Sequence, residues 1–195
     1  MKWRLISFGQ TASQEPVTVQ LPKPSASIAS TSFITRRSFS TLPCGSRPRW
    51  RERARGVAER THELSSFLVH RLGVEDVGAS FSGRLTWHDA CHGLRDLGIK
   101  DEPRRLLRHV KGAQLVELPP PGAETCCGFG GTFSVKYPEI SVAMLDEKVD
   151  AIERAGVDAV VSGDASCLMQ IAGRLSRRGS TVRALHLAEV LASRP

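Results

Sequence analysis

Long apolar runs are missing from this sequence. Nowhere do eighteen apolar residues follow one another, and a membrane-crossing helix needs about that many, so no span is expected. The chain does not open on the apolar core of a secretory signal either. Aromatic residues make up only 6%, with a single tyrosine, and none form a patch interleaved with basic side chains. That speaks against nucleic-acid binding by stacking. Paired CxxC knuckles, the usual mark of a structural zinc ribbon, do not occur. Acidic residues are scarce at one end: residues 1–53 hold nine Lys/Arg against Glu15 and Glu52, whereas residues 54–195 hold eighteen of each sign. The whole excess of +7 therefore belongs to the N-terminal quarter. The high pI says nothing about the remainder, and no nucleic-acid partner is expected.

What is present divides the chain in two. Residues 1–53 are rich in Ser, Thr, Pro and Arg without a sustained apolar period, which predicts a disordered basic tail. Organelle transit peptides share that composition, so targeting stands as the lesser alternative to a cytoplasmic location. Residues 54–195 form the expected domain. Four of the five cysteines lie in it, and an intracellular chain would keep them reduced for metal or redox use.

Within the domain, residues 54–74 suggest a helix, with Val57, Leu64, Phe67, Leu68 and Leu72 at three- and four-residue steps. A strand over 84–88 follows, then a short helix over 102–112 and a strand over 113–118 stopped by three prolines. Residues 138–156 give the clearest helix, with Val142, Leu145, Val149 and Ile152 on one face. A continuous apolar strand (157–163) is of the kind buried on both faces. A helix over 166–179 with Leu168, Ile171, Ala172 and Leu175 inward, a strand over 181–187 and a last helical turn over 188–193 complete the series. The alternation predicts a doubly wound α/β domain, its four-stranded sheet mainly parallel, with flanking helices.

That order places the cysteines. Cys91 follows the first strand, Cys126 and Cys127 the second, and Cys167 the third. In an open parallel sheet the carboxyl ends of the strands share one edge, where ligands bind. Neighbouring strands are ~5 Å apart, so a four-thiol cluster is expected. Buried cysteine as a small hydrophobe suits Cys167 but suits the adjacent pair Cys126–Cys127 badly. Gly128, Gly130 and Gly131 permit unusual φ and close backbone approach to a bulky group. Zinc, an iron–sulfur cluster and a Cys–His nucleophile, with His88 and His92 flanking Cys91, all remain open at this point.

The stretches "WHDACHGLR", "ETCCGFGGTFSVK" and "DASCLMQIAGR" resemble the cysteine-rich CCG domain of the heterodisulfide reductase and glycolate oxidase iron–sulfur subunit group, most of all its lactate-utilisation protein A branch. "RTHELSSFLV", "ELPPPGAETCCGFGG" and "HLAEVL" extend the likeness over about residues 54–193. The family motif is a lone Cys, a long spacer, CCG, a second long spacer and CxxC; here the spacers hold 34 and 35 residues. The resemblance implies iron–sulfur binding, a [4Fe–4S] cluster first, by Cys91, Cys126, Cys127 and Cys167. One position departs: Asp164 stands where the CxxC begins, and a ligand, an acid/base and a helix N-cap are its three candidate roles, with the cap favoured. His88, His92 and Asp164 are the candidates for substrate or cluster-supporting roles.

The resemblance further implies an electron-transfer component of a complex that oxidises a small 2-hydroxy acid, with L-lactate to pyruvate the leading reaction and the other subunits of that complex as partners. A heterodisulfide-reductase-like thiol/disulfide module and a zinc-stabilised interaction domain are the alternatives. Relatives of the branch carry two cysteine-rich halves and this chain shows the second. That leaves a truncated or mis-started gene, or a half-module working with a separate partner.

Overall fold

The computed structural model describes residues 48–194; of the tail expected over residues 1–53, residues 1–47 lie outside them. Four strands, β1 (Ser80–Trp87), β2 (Lys111–Leu115), β3 (Ala159–Ser162) and β4 (Arg183–His186), form one sheet in the order β2-β1-β3-β4. Every neighbouring pair is parallel. The helices are α1 (Pro48–Ala58), α2 (Leu64–Ser66, continued by a π-helical turn, Phe67–Arg71), α3 (Glu102–Arg108), α4 (Thr132–Lys136), α5 (Pro138–Arg154), α6 (Ala165–Arg177) and α7 (Leu187–Ala192). A second π-helical turn covers His92–Asp96. Among the described residues no helix is long and apolar enough to cross a membrane.

Both faces of the sheet are covered, as expected of a doubly wound domain. Leu85, Trp87, Ala159 and Val161 pack on one side with Val69, Leu106 and Leu107, and with Leu187, Val190 and Leu191 of α7. Val160 points the other way, into a cluster with Leu145, Val149 and Ile152 of α5 and Ile171 and Leu175 of α6. Side chains alternate along a strand, so β3 is buried on both faces. The chain leaves β1 for β2 on one side and returns for β3 on the other. The point where the order reverses, between β1 and β3, is where doubly wound folds hold ligands.

Four local expectations are corrected. Residues 48–53, assigned to the tail, are part of helix α1. The single helix over 54–74 is instead broken between Ala58 and Leu64. Thr61 Oγ1 donates to the Val57 carbonyl at 2.9 Å, and Glu63 starts a new helix by accepting from Ser66 N at 2.9 Å, a side-chain competition that ends one helix and caps the next. The break leaves Val57, Leu64, Phe67 and Leu72 exposed and buries Ser65 and Val69 in their place. On α5 the inward face is rotated: Val142 is exposed, while Ser141 and Lys148 join Leu145, Val149 and Ile152. On α6, Ala172 is exposed and Cys167 turns inward.

Candidate metal centre

All four cysteines of the domain come from the carboxyl-end edge of the sheet. Cys91 precedes the π-helical turn after β1, Cys126 and Cys127 lie between β2 and α4, and Cys167 is in the first turn of α6. All four are free thiols; Cys91 and Cys126 are half-buried, Cys127 and Cys167 buried. They are near enough to govern one another's ionisation. Burial, then the neighbouring Cys126, pushes the Cys91 thiol up. The interaction with Cys167 pulls Cys127 down, and the same interaction, followed by burial, drives Cys167 up. Opposite shifts from one shared interaction mark the two inner sulfurs as a closely coupled pair.

His88 completes this inner group. A ring nitrogen of His88 and the sulfurs of Cys127 and Cys167 all lie within 4.8 Å of one another. Residues two apart on a strand share a face, and Thr86 pairs with Val160 in register. His88 therefore points to the same side of the sheet as Val160, the side on which Cys127 and Cys167 pack. Its side chain is fully buried. Burial lowers its pKa, opposed by Cys127, so the ring is neutral and carries a free lone pair. Among the described residues, Thr86 Oγ1 and both ring nitrogens of His88 are the buried side-chain polar atoms without a hydrogen-bond partner. His92 is placed differently: it is partly exposed and its Nδ1 lies 2.9 Å from Asp96 Oδ2.

The backbone that carries these groups is fixed by polar contacts that the pattern of the sequence does not announce. His88 N donates to Val161 O at 2.8 Å, and Ser162 Oγ donates to His88 O at 3.1 Å. Asp89 accepts from Trp87 Nε1 at 2.8 Å and from both terminal nitrogens of Arg104 at 2.9 and 2.8 Å. Arg104 also reaches Glu117 at 2.9 Å. This buried, two-pronged pair pins the turn between His88 and Cys91. Lys148, fully buried on α5, donates to the carbonyls of Gly122 and Ala123 and ties the strand-end loop to that helix. Burial lowers its pKa from 10.5 to about 8, against the pull of Cys127 and Asp89.

Gly128 makes the closest approach of the CCG loop. Its φ is +77°, and a Cβ there would lie 2.4 Å from Ser141 O. Ser141 Oγ donates to Gly128 O at 2.7 Å and accepts from Gln170 Nε2 at 3.1 Å, which joins the loop to α5 and α6. Gly128 N lies 3.4 Å from Cys126 Sγ, in position to donate to it. Gly130 and Gly131 also have positive φ, and Gly131 opens α4. Asp164 caps α6, its Oδ1 accepting from Ser166 N at 2.9 Å and Cys167 N at 3.2 Å. It holds Cys167 in place by that cap.

The donor set suits a thiolate-bound metal group. Two buried and two half-buried sulfurs, with an unpaired buried imidazole beside the inner two, are donors that such a group can use. Lys148, Asp89, Arg104, Ser141 and Gln170 were not singled out by the sequence. Lys148 had one signal: it stands three residues after Leu145 and four before Ile152, on the apolar face.

Known proteins match the same region. Residues 85–172 match the family model described as CCG, a cysteine-rich domain. The chain is 50% identical over 147 residues to Lactate utilization protein A of Bacillus subtilis (strain 168), covering 75% of this chain and 61% of the relative. It is 53% identical over 147 residues to the protein of that name from Geobacillus kaustophilus (strain HTA426), with the same coverage. For the protein of that name from Geobacillus thermodenitrificans (strain NG80-2) the identity is 54% over 144 residues, 74% of this chain and 59% of the relative. The chain thus spans about three-fifths of the length of these relatives. Residues 85–172 are thus similar to the CCG cysteine-rich domain.

Proposed function

We propose that this chain is an iron–sulfur electron-transfer component of a system that oxidises a small 2-hydroxy acid, L-lactate to pyruvate. The observation that carries the reading is the convergence of Cys91, Cys126, Cys127 and Cys167 on one edge of the sheet, beside its topological switch point. The name of the relatives, Lactate utilization protein A, supplies the pathway. The buried Cys127 and Cys167 and the half-buried Cys91 and Cys126 would hold a [4Fe–4S] cluster, four thiolates being the usual complement. When bound, such a group supplies one-electron transfer.

The chain's own residues do the rest. Gly128 N donates toward the Cys126 sulfur, and hydrogen bonds to ligand sulfur tune potential. Leu118, Ala123 and Phe129 keep water from the inner sulfurs. The half-buried rim formed by Cys91 and Cys126 is the side at which electrons enter from and leave to partner subunits. The hydroxy acid is oxidised on a partner, and the chain is an oxidoreductase component of a cytoplasmic complex.

Deletion of the gene in its host tests the pathway. Growth on L-lactate as sole carbon source is expected to fall while growth on pyruvate is unchanged; equal growth on both overturns the lactate assignment. A second reading, zinc, is favoured by one observation, the mixed His88–Cys127–Cys167 group, because zinc accepts nitrogen and sulfur together. Acid-labile sulfide separates the two.

A further inference from the structure

We propose that His88 is itself a ligand of the metal centre, binding beside Cys127 and Cys167, so that the donor set mixes nitrogen with sulfur. This rests on the reading of the site as a metal centre, and it adds a nitrogen donor to the four thiolates.

Three observations carry it. His88 is fully buried and neither ring nitrogen has a hydrogen-bond partner. Folded proteins pair nearly all buried polar groups, and leaving one unpaired is costly; a ligand bond engages that lone pair. A ring nitrogen and two sulfurs lie within 4.8 Å of one another, a separation of the size that two metal–ligand bonds of about 2.0–2.3 Å span. Finally, the ring is held in advance. His88 N and O are bonded to Val161 and Ser162, and the next residue, Asp89, is clamped by Trp87 and Arg104. Such rigidity around an unpartnered imidazole is what a ligand needs. His92 is partly exposed and engaged by Asp96, and it is not in the buried group of His88, Cys127 and Cys167.

The test is pulsed EPR on the reduced, anaerobically purified full chain, grown once with natural histidine and once with ¹⁵N-histidine. The expected result is a nitrogen coupling of ligand strength that changes to the ¹⁵N pattern on labelling. It is lost in His88→Ala and kept in His92→Asn. The labelling arm and His92→Asn need no change at position 88, so the proposal stays testable if His88→Ala does not fold. Absence of the coupling from the labelled chain, or its persistence in His88→Ala, overturns the proposal and leaves the iron–sulfur reading intact. Zinc without sulfide overturns the iron–sulfur reading instead. Zinc-edge X-ray absorption then decides: imidazole scattering lost in His88→Ala sustains the ligand, and an all-sulfur shell overturns it. A chain that takes up neither metal overturns both.

Discussion

Adding one methyl group at Gly128 tests how the CCG loop is held. With φ at +77°, alanine there adopts the left-handed region, at about 1–2 kcal/mol. Its Cβ would also lie 2.4 Å from Ser141 O and 3.2 Å from Ser141 C, both backbone atoms of α5. Contacts that close force the loop away from the helix, and overpacking of this kind costs about 1–3 kcal/mol more. The movement breaks the 2.7 Å bond from Ser141 Oγ to Gly128 O, a further ~1 kcal/mol. Gly128→Ala is therefore expected to destabilise by about 3–6 kcal/mol and to displace Cys126 and Cys127 from Cys167. Gly179→Ala is the control: its φ is +66° but nothing lies within 4 Å of the added Cβ, so only the ~1–2 kcal/mol of backbone strain applies. Urea unfolding of the two variants and the parent, in the same metal state, measures the difference; metal content per chain measures the displacement. Equal destabilisation by both variants, or full metal content in Gly128→Ala, would refute the reasoning.

Lys148 gives a pH dependence with a definite sign. Its folded pKa of about 8 lies below the ordinary 10.5, so the unfolded chain binds more protons between those values and stability rises with pH there. The wild type should gain about 2 kcal/mol on Lys148→Met between pH 7.5 and 9.5 in metal-free urea titrations; parallel curves would count against a buried ammonium. Asp89→Ala leaves the buried Arg104 guanidinium without its two-pronged partner and should cost about 3 kcal/mol, with coupling to Arg104→Ala in a double-mutant cycle. Asp164→Ala removes the cap of α6 and should cost about 1 kcal/mol with metal content unchanged; loss of metal at preserved stability would instead make Asp164 a ligand.

The sheet was legible because its strands are short apolar runs separated by helices of clear period, and parallel order then follows from alternation alone. The four thiols were legible for the same reason: each follows the carboxyl end of a strand. Other features depend on contacts distant in sequence. Asp89 and Arg104 meet only because β1 and α3 pack together, and no local pattern announces a pair fifteen residues apart. The buried state of His88 depends on β3 and on the CCG loop, and a position at a strand end suits a surface residue equally well. Lys148 carries a charge, and the expected helix face passes from Leu145 to Val149 without it. The break at Thr61–Glu63 comes from side-chain hydrogen bonds that a count of apolar spacing does not register.

Iron and acid-labile sulfide per chain, with low-temperature EPR, should be measured on protein purified without oxygen. About four of each per chain, lost together in Cys126→Ser, is the result expected of a thiolate-bound iron–sulfur centre at this sheet edge. Zinc without sulfide, or iron and sulfide that survive Cys126→Ser unchanged, would contradict it.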